Sequence, residues 1–196
     1  MVTLFLRQGE TGKQVLLSFP ATTLAEIADV AATLETLKSM SKTVTIHGAA
    51  SEVMNLGLYL SGVDLATDGE VDRTNQLAER LEHMSEVDCD KFVGMLDANK
   101  ISGTKDILQL TEHLDDYVIL PGCSSAQSIG KYLVGCGAFP VPEKLIGYIN
   151  YEAVGTEFQD AHGGAACSRG FVVRKEGRAC RRQFWMICTP QSRHTK

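Results

Sequence analysis

No apolar run in this 196-residue chain approaches the ~20 residues that span a bilayer. The start, MVTLFLRQGE, lacks the basic n-region and sustained apolar stretch of a secretory signal. There is no CxxC pair. Cys89, Cys123, Cys136, Cys167, Cys180 and Cys188 stand too far apart for a zinc knuckle or a thioredoxin-type motif. They read as reduced thiols of a cytoplasmic protein. GxxxxGK[ST], GxGxxG, HExxH and GxSxG are all missing, so phosphate-loop, dinucleotide, zincin and nucleophile-elbow chemistry have no foothold. GCGAF, at 135–139, is a glycine pair without a third glycine. The expectation is a protein that is not an enzyme and uses no cofactor and no metal.

Two constellations bear on that expectation. Cys123, Cys167 and His162 form an imaginable thiol–imidazole set, but the sequence supplies neither a base within reach nor a cause for a lowered thiol pKa. Asp115 and Asp116 form a carboxylate pair. No second acidic cluster stands at a usable spacing, so they read as a solvated helix end.

What the chain has is uneven charge. The net charge of −5 splits into −11 over residues 1–173 and +6 over 174–196. Acid is densest at 64–116, with 14 acids against 5 bases. An acidic surface serves solubility first, and a partner with a basic groove second. Hydrophobic content of 44% is ordinary for a folded globular chain, and the length allows one large domain or two to three small ones.

The pattern reads as α+β in three units and a tail. In 1–62, TLFLRQ and KQVLLSFP flank the turn GETG as a hairpin. ATTLAEIADVAATLETL is a helix with Thr22 or Thr23 as cap and Glu26 at capping-box spacing from Thr23. KTVTIHG alternates as a half-buried strand, with His47 on its surface rather than serving as a ligand. Residues 51–60 are short and apolar, and periodicity does not decide between helix and strand. Residues 63–114 read as three short helices. In the first, EVDRTNQLAERLEHMS, the carboxylates Asp72, Glu79, Glu82 and Glu86 recur at helical spacing opposite Leu77, Leu81 and Met84. In 115–175, DYVILPG is a strand and SSAQSIGKYLVGCG a helix capped by Ser124 or Ser125. FPVPEKLIGYINYEAVGTEF is a helix opening at Pro142, and GGAACSRGFVVR a closing strand. Leu145, Ile149, Ala153 and Phe158 are expected to pack on that last sheet. The tail, 176–196, mixes Phe184 and Trp185 with arginines, and reads as a solvated extension or a final strand.

Three stretches, DDYVILPGCSSAQSIGKYLV, PEKLIGYINYEAVGTEF and GFVVR, resemble the C-terminal part of the ArdA antirestriction proteins of conjugative plasmids and transposons. YINYEAVG carries the likeness: Tyr148, Asn150, Tyr151, Glu152, Ala153 and Gly155 fit that family's tyrosine–tyrosine–glutamate–alanine helix and following glycine. Asn150 stands where an aspartate is frequent. The resemblance implies an acidic, elongated, three-part protein, often a homodimer, that imitates the DNA bound by type I restriction–modification enzymes.

The expected function is therefore non-enzymatic inhibition of a bacterial defence nuclease on behalf of a mobile element. An anti-CRISPR protein occupying the basic channel of a Cas9-type effector is the alternative. A nucleic-acid binder acting through the basic, aromatic tail is a further one. Candidate partner-binding residues are Asp72, Glu79, Glu82, Glu86, Asp115, Asp116, Glu152, Glu157 and Asp160. Tyr148 and Tyr151 are candidates for a dimer or partner contact, and no membrane partner is expected.

Overall fold

The structure, a computed structural model, describes residues 1–8 and 13–175. The GETG turn and the 176–196 tail lie outside the described residues. The chain is α+β, with two three-stranded antiparallel sheets among the described residues. It divides into two compact units. The first takes Met1–Cys89 with Lys100–Glu112, and the second takes Asp90–Asn99 with residues from His113 onward. The helical stretch 63–114 is thus shared between them.

In the first unit, β1 (Val2–Gln8) lies at the centre of the sheet. β2 (Lys13–Phe19) pairs with it antiparallel, from Val2 opposite Phe19 to Gln8 opposite Lys13, as a hairpin reading requires. α1 (Leu24–Met40) follows, then β3 (Val44–Ala50), which pairs with the other edge of β1. The expected capping box opens α1. Thr23 Oγ1 accepts from the Glu26 amide at 3.2 Å, and the Glu26 carboxylate accepts from the Thr23 amide at 2.9 Å. These backbone bonds, Thr23's first, hold the Glu26 carboxyl below its usual range. Val30, Leu34 and Leu37 turn α1 inward. Strand alternation does the same for β1: Val2, Leu4 and Leu6 are buried, while Thr3, Phe5 and Arg7 face outward. The ambiguous stretch at 51–60 ends in a helix, α2 (Leu56–Leu60). Gly57 lies so close to β3 that a Cβ there would meet the Ala49 amide nitrogen at 2.7 Å.

α3 (Glu70–Glu82) and α5 (Thr104–Glu112) complete this unit. Arg80 joins them: its guanidinium donates to the Leu108 carbonyl, to Thr111 Oγ1 at 2.7 Å and to Glu112 at 2.9 Å. α4 (Glu86–Ala98) is a separate helix, because α3 stops at Glu82. The expected row from Asp72 to Glu86 is therefore not on one helix.

The second unit is built on a sheet of order β4 (Tyr117–Pro121), β6 (Gly170–Arg174), β5 (Ala165–Cys167). The stretch read as one closing strand folds back on itself as β5 and β6. Gly163 and Gly164, at φ 66° and 112°, deliver the chain into it. α6 (Ala126–Gly135) starts at Ser125, whose hydroxyl accepts from the Ser128 amide. α7 (Tyr151–His162) starts later than read, at Asn150, whose side chain accepts from the Ala153 amide at 3.1 Å. Before it, Glu143–Tyr148 forms a 3-10 turn instead of the first half of a long helix. The packing forecast changes accordingly. Phe158 is buried with Val118, Leu120, Ile129, Leu133, Phe171 and Val173. Leu145 and Ala153, however, lie on the surface.

Candidate partner-binding surface

The carboxylates in the first unit fall on two helices. Asp72, Glu79 and Glu82 project from one side of α3, since seven and ten residues at 100° each leave them within about 80° of arc. Thr74, Leu77, Ala78 and Leu81 take the buried side. Glu86 belongs to the first turn of α4, so the sequence-predicted row of four is a row of three. Two of those three are already engaged. Glu79 accepts from Asn75 Nδ2 at 2.9 Å, and Glu82 lies 3.6 Å from the chain's amino terminus. Asp72 is exposed on the lip of a hollow of about 360 Å³ whose walls include Phe19, Val30 and Leu34.

In the second unit, Asp115 and Asp116 sit in a 3-10 turn, Leu114–Asp116, that leads into β4. Asp115 is exposed. Asp116 is bound locally: His113 Nδ1 lies 3.3 Å and Arg174 3.8 Å from its carboxylate, and its carbonyl accepts from the Lys175 amide at 2.7 Å. Asp116 therefore ties the start of β4 to the end of β6, and it presents less free charge than its neighbour.

α7 holds the remaining three. Glu152, Glu157 and Asp160 are exposed, and none has an ion-pair partner among the described residues. At 100° per residue they cover one arc of about 140°. Gly155 and Phe158 occupy the opposite, buried side. Burial is set by the crossing with α6: a Cβ on Gly155 would collide with the Ala126 carbonyl, and one on Gly130 with the Tyr151 carbonyl. Glycine at both positions brings the two backbones together and fixes which side of α7 meets solvent.

The tyrosines separate in role. Tyr148, 86% exposed, ends the 3-10 turn. Tyr151 is half-buried and donates its hydroxyl to the Ile146 carbonyl at 3.2 Å, so it braces that turn. Sequence reasoning missed the apolar company of Tyr148. Phe139, Leu145 and Ile146 are all at least 40% exposed. Asn150, a capping residue inside the stretch, was the available signal, since the helix starts only there and leaves the residues before it in a 3-10 turn.

Two members of the thiol–imidazole set, Cys123 and His162, are packed into the second unit. Cys123 is buried, its Sγ near the carbonyls of Pro121 and Ser128. Burial first, then the neighbouring Cys136, pushes the thiol up to about 11. His162 stacks on Phe158 with ring centroids 4.5 Å apart, and burial lowers its pKa. Among the described residues no group of three His, Cys, Asp or Glu side chains is placed to hold a metal ion. No helix among them is long and apolar enough to cross a membrane.

No protein-family model matches the chain, and no curated protein matches it.

Proposed function

We propose that this protein is a cytoplasmic, non-enzymatic inhibitor of a bacterial defence nuclease, a relative of the ArdA antirestriction proteins that presents carboxylates where a type I restriction–modification enzyme expects DNA phosphates. The observation that carries the reading is the division of α7: one side is locked into the core by Phe158 and Gly155, and the opposite side holds three unpaired carboxylates. Glu152 to Asp160 spans about 12 Å of helix. One strand of B-DNA carries a phosphate every ~3.4 Å of axis. Three charges over that length are somewhat sparser than a strand, so the α7 row needs help. Asp115 in the same unit is a candidate to provide it. Binding of this kind depends on summed charge, and its affinity falls as salt rises.

The test measures inhibition of a purified type I restriction enzyme, with Cas9 in parallel. The restriction enzyme is expected to be inhibited at micromolar protein. Replacing Glu152, Glu157 and Asp160 together by lysine should weaken inhibition roughly tenfold or more, while each single replacement changes it little. If neither nuclease is inhibited, or a single surface reversal abolishes inhibition in a folded protein, the distributed-charge reading fails.

A further inference from the structure

The first unit's sheet keeps one face uncovered, and that face differs in chemistry from the rest of the surface. Its side chains form rows across the strands. Thr3 and Ser18 face each other, their hydroxyls 3.4 Å apart. Phe5 stands opposite Leu16 on one side and Gly48 on the other. Arg7 stands between Gln14 and Thr45. The ladder slips between Phe5 and Leu6, which leaves His47 as the extra residue of a bulge beside Phe5. Two adjoining open hollows, of about 430 and 450 Å³, share Phe5, His47 and Gly48.

Three features of this face point the same way. Gly48 puts no side chain over the Phe5 ring, and Leu16, 59% exposed, extends the apolar row. Arg7 lies two residues along the same strand, about 7 Å away. Among the described residues no carboxylate lines either hollow. In a chain where acids outnumber bases nearly two to one over residues 1–173, that is the exception. On the β3 side, Asp64 is turned to the backbone, accepting from the Val44 and Ala66 amides, and Glu52 follows the end of the strand.

From this juxtaposition we infer that the Phe5–Leu16 row with Arg7, Gln14 and His47 is a binding site for a single nucleic-acid strand. The ring and the leucine carry the π-face of a base. Arg7 meets the adjoining phosphate with its fork of donors. Gln14 and His47 offer hydrogen bonds to base edges in either charge state of the imidazole. The two hollows are open and adjoin each other along the sheet, which suits a strand passing over both better than a single enclosed nucleotide. The site is separate from the carboxylate rows and does not rest on the inhibitor reading.

Anisotropy of a fluorescein-labelled twelve-nucleotide oligodeoxythymidylate tests it, using the full chain at low salt, with an oligouridylate and a duplex of equal length as comparators. One or both single strands should bind in the micromolar range and the duplex more weakly. Phe5→Ala should weaken strand binding about tenfold, the scale of one lost base–aromatic stack. Arg7→Glu, a change at an exposed position, should weaken it at least as much and flatten its salt dependence. No binding by the unaltered chain overturns the proposal. So does binding that both variants leave unchanged, which would place the contact elsewhere, or equal binding of duplex.

Discussion

The two sheets have three strands each and opposite surroundings. In β1 burial alternates, so one face of the first unit's sheet is core and the other meets solvent. In β6 it does not alternate: Phe171, Val172 and Val173 are all buried. Phe171 and Val173 join the cluster formed with α6 and α7. Val172 points the other way, against Gly94 of α4, at a contact where an added Cβ would strike its methyls. A sheet covered on both faces has no surface left to bind with, and it works as a foundation for the helix that carries the carboxylates. A sheet covered on one face can bind. The difference lies in what packs on each strand: α4 and the α6–α7 pair enclose β6, while β1 is covered on one face.

The heaviest blow to that contrast falls on the α6–α7 crossing. Gly155→Val or Gly130→Val drives a side chain into a backbone carbonyl that has nowhere to go. We expect each to cost about 3 kcal/mol or more, at or beyond the usual range for overpacking. Denaturant unfolding measures it. A loss under about 1 kcal/mol would show that the crossing is looser than described. It would also show that α7's exposed side is not fixed by the sheet beneath it.

A matched pair of substitutions sharpens the comparison at lower cost. Val172→Thr places a hydroxyl between two apolar layers and should destabilise by about 1–3 kcal/mol. Phe5→Thr, on the open face of the other sheet, gives up a half-exposed ring and should cost less, about 1 kcal/mol or below. Equal losses would mean that β1 is as enclosed as β6.

Little of this contrast was legible in the chain. TLFLRQ carries Leu4, Phe5 and Leu6 in a row and GFVVR carries Phe171, Val172 and Val173, so both read as short apolar runs, and only the packing shows which of them is covered on both faces. Local signals were clearer. The capping box at Thr23, the cap at Ser125 and the double-glycine turn followed from local chemistry. What failed was continuity. Helical spacing from Asp72 to Glu86 persists across the end of α3 at Glu82, because periodicity does not register a break that leaves the next helix nearly in phase. LIGYINYEA likewise keeps an apolar rhythm through a 3-10 turn and a restart at Asn150, whose capping side chain was the overlooked stop-and-start signal. The carboxylates of α7 were named correctly as exposed acids. The pairs Asn75–Glu79 and His113–Asp116 stand at i,i+4 and i,i+3 and were there to be read, but nothing in sequence spacing joins Glu82 to the amino terminus or Asp116 to Arg174.

The smallest expected effect concerns acid and again separates the two units. His162 closes α7 against Phe158, and its buried Nδ1 has no hydrogen-bond partner among the described residues. Burial disfavours the imidazolium, so the folded pKa lies below the ordinary 6.5. The unfolded chain then takes up a proton at a pH where the folded chain does not. The stability this group contributes is full above pH 6.5 and is lost as pH falls through the lower, folded value. His162→Phe removes the titrating group and keeps the ring stack, so the variant should lose less stability than the parent on acidification. His47, exposed on the first unit's open face, meets no such burial. Urea midpoints at pH 7 and on acidification below 6.5 decide it. Parallel acid limbs for the parent and His162→Phe would mean that α7's end is wet, and that the covered sheet is less covered there than at Val172.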